Sequence, residues 1–349
     1  MGRLAAAPRP RTTRLRSLNA MKIAVFGAGA IGLYVAARLG AAGQSVSVVL
    51  RPGVELPLPL WIEEDGRIDA CTGLVAAHAG DAAPQDLLIV AVKAHQLPAA
   101  LPALLPWIGP ATELVLTQNG LPWWYFQGSG KYAGRILEAS DPGGTLARGI
   151  DPHRVIACVV RKAAERTAPD RIAASYAAGD GFVLGRPLGG SDRALDVVAA
   201  LFDAANLQAE ISSDIRGAVW EKLVGNAALN PVSAITGADL GTMLADASLR
   251  TLLLAAMTEV QAVASAFGIA LATSPAQRLE RSAQVAAGRV VRTSMLQDRL
   301  AGRTLELAPI VGAVAEAAAL AGVAVPRLAT LYACTAALQP LSSSTRKTS

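Results

Sequence analysis

The stretch Lys22-Ile23-Ala24-Val25-Phe26-Gly27-Ala28-Gly29-Ala30-Ile31-Gly32 decides the fold. Ile23 to Phe26 are apolar, mostly β-branched or aromatic, and read as a short strand. The Ala-rich run 30–42 has apolar residues at helical spacing, and Gly43 stands where a C′ residue ends a helix. Residues 45–50 (SVSVVL) form a second strand with Arg51 at its end. Strand, glycine turn, helix, strand is one βαβ unit. The three glycines serve different ends. Gly27 allows the tight turn, Gly29 lets backbone approach a pyrophosphate, and Gly32 lets the helix pack closely on the strand. Ala28, Ala30 and Ile31 complete the loop and the first helical turn, whose free N–H groups and positive dipole end suit phosphate. A glycine turn without ligand is the bland alternative. Its place after a strand and before a helix is the context that marks a dinucleotide site.

The same alternation continues outward. Residues 86–93 (DLLIVAVK) are a continuous apolar run, as expected of a strand buried on both faces, and 95–105 read as a helix. Residues 113–120 (ELVLTQNG), 155–160 (VIACVV) and 181–185 (GFVLG) supply further strands, and 192–205 a helix. Strands alternating with helices predict a parallel sheet covered on both faces. Beyond residue 214 helical patterns take over, at 215–230, 246–267, 275–288 and 305–321. The expected fold class is therefore α/β: an N-terminal Rossmann-type dinucleotide-binding domain over 21–210 and an all-helical C-terminal domain over 211–339. Residues 1–20 and 340–349 are expected to be a disordered leader and a disordered tail.

Composition narrows the function. The chain has 349 residues, 52% of them hydrophobic and 17% charged, enough apolar surface for large cores. No charge-free apolar stretch is long enough to span a membrane. The net charge of +5 would fit a nucleic-acid partner, but its location argues otherwise. Arg3, Arg9, Arg11, Arg14 and Arg16 sit in the leader, and Arg346 and Lys347 in the tail. Without these seven charges residues 21–339 carry −2. The Arg-rich, acid-free leader also has the character of a transit peptide. Cys71, Cys158 and Cys334 are odd in number and far apart, and the three histidines form no ligand pattern, so neither a disulfide framework nor a metal site is expected. The default setting is reducing and cytoplasmic.

Two cations stand out. Val48-Val49-Leu50-Arg51 ends the second strand without the acid that would accept from a ribose 2′-OH, whereas a guanidinium suits a 2′-phosphate. NADPH is thus favoured over NADH, against the alternative of a solvated surface arginine. Lysine is rare here, with only six, so one inside an apolar pattern is informative. Lys93 ends a strand on the side where α/β sheets bind ligands. Lys222, Asn226 and Asn230 recur at i, i+4 and i+8, one polar stripe on an otherwise apolar helix. Asn is a poor helix-interior residue, so the stripe is either solvent-facing or a proton-donating amine with two amides to orient a small polar ligand.

These residues carry a family resemblance. Lys22–Gly32, VKAHQ at 92–96, QNG at 118–120, WEKLVGNAALNPVSAI at 220–235, SMLQD at 294–298, TLELAPIVG at 304–312 and GVAVP at 322–326 resemble the ketopantoate reductases (2-dehydropantoate 2-reductases), in that order. The resemblance implies an NADPH-dependent oxidoreductase that reduces a 2-keto acid, 2-dehydropantoate to pantoate for coenzyme A synthesis, in a cleft between its domains. It implies that residues 27–32, Arg51, Lys93 and Asn119 bind cofactor and that Lys222 is the general acid. It also implies that Asn226, Asn230 and Ser294 bind substrate and that Glu306 lies near the lysine. Ser294 and Glu306 would converge only if the helix breaks between them, and Gly302 offers the break. Residues 237–241 (GADLG) depart from the family pattern, which puts one amide contact in doubt. Trp123-Trp124-Tyr125-Phe126 follows the QNG loop and would line the cleft or, by preference, fill the core. The alternatives are a related hydroxy-acid or opine-type dehydrogenase and a non-catalytic NADPH sensor. A monomer or a homodimer is compatible with the Ala-rich helices.

Overall fold

A computed structural model describes residues 21–128, 130–175 and 179–339, so the expectations for the leader and the tail lie outside the described residues. The elements are β1 (Ile23–Phe26), α1 (Ala30–Ala41), β2 (Val46–Val49), β3 (Leu60–Glu64), β4 (Arg67–Cys71), β5 (Leu74–Ala77), β6 (Leu87–Val90), α2 (Leu97–Leu104), β7 (Glu113–Leu116), α3 (Thr145–Gly149), β8 (Val155–Val160), β9 (Ala163–Ala168), β10 (Arg171–Ser175), β11 (Phe182–Gly185), α4 (Arg193–Ala204) and β12 (Ala209–Ile211). The helices α5 (Ile215–Thr236), α6 (Leu240–Ala245), α7 (Ala247–Ala266), α8 (Pro275–Ala286), α9 (Ser294–Leu300), α10 (Ala313–Ala321) and α11 (Pro326–Ala336) follow.

The main sheet has eight strands in the order β12-β11-β8-β7-β6-β1-β2-β5. Its pairs are parallel except β8 with β11, which run antiparallel. Side chains alternate between its faces. Leu87 and Ile89 of β6 join the core under α1 and α4, while Leu88 and Val90 join the opposite core, which continues into the C-terminal helices. That explains why the β6 run is apolar at every position.

A second sheet was not anticipated. It has four strands in the order β4-β3-β10-β9 and lies against α1. The β3–β4 hairpin lies between β2 and the next parallel strand, β5, a connection that in parallel sheets is usually an α-helix. Asp65 and Gly66 turn it, with φ of +51° and +77°, the positive values a two-residue hairpin turn requires. Sandwiched between two sheets, α1 buries Gly32 to Ala37 and Leu39.

Two further departures have local causes. The strand β12 extends to Ile211, so the sheet takes the first residue assigned to the helical part, and Asp214 caps α5 through the N–H of Gly217. The helix expected over 305–321 begins only at Ala308, with a π-helical turn over Ala308–Gly312 before α10. The helix α5 runs past residue 230 to Thr236, where Gly237 at φ +73° ends it.

Candidate active site

The central strands β1 and β6 lie side by side, and the chain leaves them in opposite directions across the sheet. The crevice outside their carboxyl ends is the switch point where such sheets bind ligands. Gly27 sits there at φ +117°, and a Cβ on it would stand 2.7 Å from the backbone nitrogen of Val92, in the loop after β6. On Gly32 a Cβ would lie 2.0 Å from the Gly27 carbonyl oxygen. Packing alone therefore demands both. Gly29 is different, because a Cβ on it would meet nothing within 4 Å. No acid stands in the first turn of α1, and Gly29 caps it without any side-chain acceptor. Ala28, Ala30 and Ile31 are half-buried around it. This is an open anion cradle with its N–H groups free, and it fits a dinucleotide pyrophosphate. Arg51 is exposed just past β2 and makes no ion pair among the described residues. Arg166, on β9, donates from Nη1 to the Ala28 carbonyl at 3.4 Å, a cation at the glycine loop that the sequence reading missed.

A polar chain crosses from this crevice to α5. Lys222 Nζ donates to Asn119 Oδ1 at 2.5 Å, and the Asn119 side chain hydrogen-bonds Glu306 in turn. Glu306 also accepts the N–H of Ala94 at 2.9 Å. The carboxylate is only 6% exposed, and burial raises its pKa against the opposing pull of Lys93 and of the two hydrogen bonds. Burial pulls the Lys222 ammonium down to about 8, with Arg278 and Arg161 pushing the same way and Cys158 and Glu306 resisting. Such an amine holds its proton at neutral pH and gives it up readily. Lys93 pairs with Asp298, which is buried and also accepts from Arg303 Nε at 2.9 Å. Asp298 is a second residue that no local signal revealed.

Lys222, Asn119 and Asn226 line one recess with Gln118, Gly120 and Val219. A second, narrow recess shares the 118–120 loop and is walled by Trp123, Trp124, Leu146 and Cys158. Gly120, at φ +92°, presses against the π-helical turn, and a Cβ there would collide with the Pro309 carbonyl. Asn230 is 4% exposed, and its Nδ2 has no partner among the described residues. The structure thus brings Lys222, Asn119 and Glu306 into contact and sets Asn226 beside them. Ser294 is exposed on the first residue of α9, a helix packed against α5, and has no hydrogen bond to them among the described residues. The chain does break at Gly302, at φ +64°. The aromatic run is core: Trp123 to Phe126 are all buried, and Tyr125 accepts from Trp220 Nε1 of α5 at 2.7 Å. The two tryptophans also face the apolar recess. Among the described residues no group of His, Cys, Asp and Glu could hold a metal ion, and no helix is long and apolar enough to cross a membrane.

A dinucleotide cradle facing a proton-bearing lysine across a cleft defines an oxidoreductase acting on a carbonyl or its alcohol. Comparison with known proteins agrees. Residues 23–124 match the family model "Ketopantoate reductase PanE/ApbA", and residues 214–339 match its C-terminal counterpart. A 2-dehydropantoate 2-reductase of Mesorhizobium japonicum is 39% identical over 85% of this chain and 91% of its own. A solved protein from Ralstonia solanacearum MolK2, described as a candidate ketopantoate reductase, superposes with a TM-score of 0.83 at 36% identity, covering 91% of this chain and 97% of that one. The 2-dehydropantoate 2-reductase from Geobacter metallireducens GS-15 gives 0.78 at 25% identity, with 90% and 99% covered. The chain belongs to the ketopantoate reductase family.

Proposed function

We propose that the protein reduces 2-dehydropantoate to pantoate with NADPH, the step that feeds coenzyme A synthesis. The observation that carries this reading is the Lys222–Asn119–Glu306 chain beside the open glycine cradle. The cofactor supplies the hydride. Gly27 to Gly32 would receive its pyrophosphate and Arg51 its 2′-phosphate, and Lys93 and Asn119 would contact it. As the C2 carbonyl becomes an alkoxide, Lys222 gives its proton to that oxygen, a general-acid contribution of roughly 10²–10⁴-fold. Asn119 and Glu306 hold the ammonium in place. Asn226, the unpartnered amide of Asn230, and Ser294 bind the substrate's polar groups. The reading covers a single chain or a homodimer working in the cytoplasm.

The test is NADPH oxidation followed at 340 nm on addition of ketopantoate, with Lys222→Ala as control. Turnover by the wild type, lost in the variant while NADPH still binds, supports the reading. A specific observation favours a second reading. The recess beside Asn119 walled by Trp123, Trp124, Leu121 and Leu146 is lined mainly by apolar side chains, which suits a 2-keto acid with an apolar tail. Faster turnover of branched or aromatic 2-keto acids than of ketopantoate would select it.

A further inference from the structure

Arg278 lies on α8, which packs against α5, the helix of Lys222. Gly225 of α5 makes room for it. A Cβ there would stand 2.8 Å from Arg278 Nε and 3.0 Å from Nη2. A mid-helix glycine costs about 1 kcal/mol relative to alanine, so this bare Cα is a costly seat for one guanidinium. Other arginines withdrawn from solvent here find acceptors. Arg186 bonds Glu113 and Asp192, Arg38 pairs with Glu64, and Arg216 bonds the carbonyls of Tyr125 and Gln127. Arg278 has no ion pair among the described residues, and its buried Nε has no hydrogen-bond partner. The acid that acts on it, Glu221, accepts at Oε1 from the N–H groups of Ala272 and Thr273.

The position of this unpaired cation is informative. Gly225 follows Lys222 by three residues and precedes Asn226 by one. The guanidinium therefore sits about 60° around α5 from Lys222, on the flank away from Asn226, Val219 and Leu223, which line the recess. Its charge is felt at Lys222. A 2-keto acid carries its carboxylate on the carbon next to the carbonyl, so the two groups need two donors one helical step apart.

We propose that Arg278 binds the substrate carboxylate while Lys222 serves the adjacent C2 oxygen. The proposal rests on the 2-keto acid reading above. It makes Arg278 the residue by which the site selects acids over neutral ketones, since a planar guanidinium grips a carboxylate with two parallel hydrogen bonds.

The test compares wild type, Arg278→Lys and Arg278→Gln on ketopantoate and on its neutral amide, following NADPH oxidation. In Arg278→Gln, kcat/KM for the acid should fall about 10–100-fold, mainly through KM, and by at least tenfold more than for the amide. Arg278→Lys should recover part of the loss on the acid, and added guanidinium ion part of the loss in Arg278→Gln. NADPH affinity, read by fluorescence, should not move in either variant. Equal losses on acid and amide, or no loss on the acid, overturn the proposal. If wild type turns over no 2-keto acid, the functional reading fails separately. The carboxylate site is then judged by whether oxamate raises the Tm of the NADP-loaded wild type and not that of Arg278→Gln. Equal shifts, or none, reject it.

Discussion

Reaction rate against pH is the sharpest consequence of the geometry around Lys222. Burial lowers its pKa from the usual 10.5 to about 8, and the cations Arg278 and Arg161 add to the fall. A general acid works only in its protonated form, so activity is present below this pKa and lost above it. With a pKa of about 8, roughly nine-tenths of the lysine is protonated at pH 7 and roughly a tenth at pH 9. At saturating NADPH, kcat/KM for the keto acid should therefore fall about tenfold between pH 7 and 9, then by about a decade per unit. An ordinary lysine would leave the profile flat to about pH 10. The assay is initial-rate NADPH oxidation in overlapping buffers of constant ionic strength. Glu306→Gln removes an anion that props the pKa up, so its inflection should move to lower pH. Arg278→Gln removes a cation and should move it upward. A profile flat through pH 9.5, or one unmoved by both substitutions, would refute Lys222 as the titrating acid. Stability carries the opposite sign. The folded state binds fewer protons at Lys222 than the unfolded chain between about pH 8 and 10.5, so this residue makes the fold more stable as pH rises through that window. Lys222→Met should accordingly raise Tm at pH 7 while abolishing turnover.

Four other outcomes are expected. Gly32→Ala drives a Cβ to 2.0 Å from the Gly27 carbonyl and should cost about 1–3 kcal/mol or more in urea unfolding. Gly29→Ala meets no protein atom, so its Tm should stay unchanged while the Kd for NADPH rises at least tenfold, by titration fluorescence. Arg51→Gln should weaken NADPH about 10-fold or more and leave NADH nearly untouched, since the ligands differ only in the 2′-phosphate. Trp220→Phe strands the Tyr125 hydroxyl and opens a small void, which should lower stability by about 1–3 kcal/mol with little change in KM.

Much of this architecture is legible in local pattern. The β1–α1–β2 unit, the all-apolar β6 and the Lys222 stripe each rest on spacing within a few residues, and they lie where that spacing puts them. The second sheet escaped for a physical reason. Four of the five residues of β4 are exposed, and β9 has no buried residue, so neither shows a hydrophobic period. The Asp65-Gly66 pair between β3 and β4 is a hairpin signal that could have been read, but nothing local says that the hairpin would cover α1. Asp298 lies within the SMLQD segment, yet its partner Lys93 is 205 residues away, and a contact of that range leaves no trace in spacing. Arg278 was hidden by a chain that uses arginine as its common cation. Gly225, a glycine inside a helical pattern, was the available hint.

The second sheet also bears on the thermodynamics of cofactor capture. α1 is braced on both sides, by the main sheet and by the small one. Tyr34 and Arg38 on it are tied to Glu64 of the hairpin, and Arg166 fastens β9 to the glycine loop. The row of N–H groups at its start is therefore aimed before any ligand arrives, and little ordering entropy is spent on binding. The small sheet works as a clamp, and its reward appears in an affinity rather than in a contact. Loosening the clamp far from the phosphates, for instance by Glu64→Ala, would show as a weaker dinucleotide complex with a more unfavourable binding entropy by calorimetry.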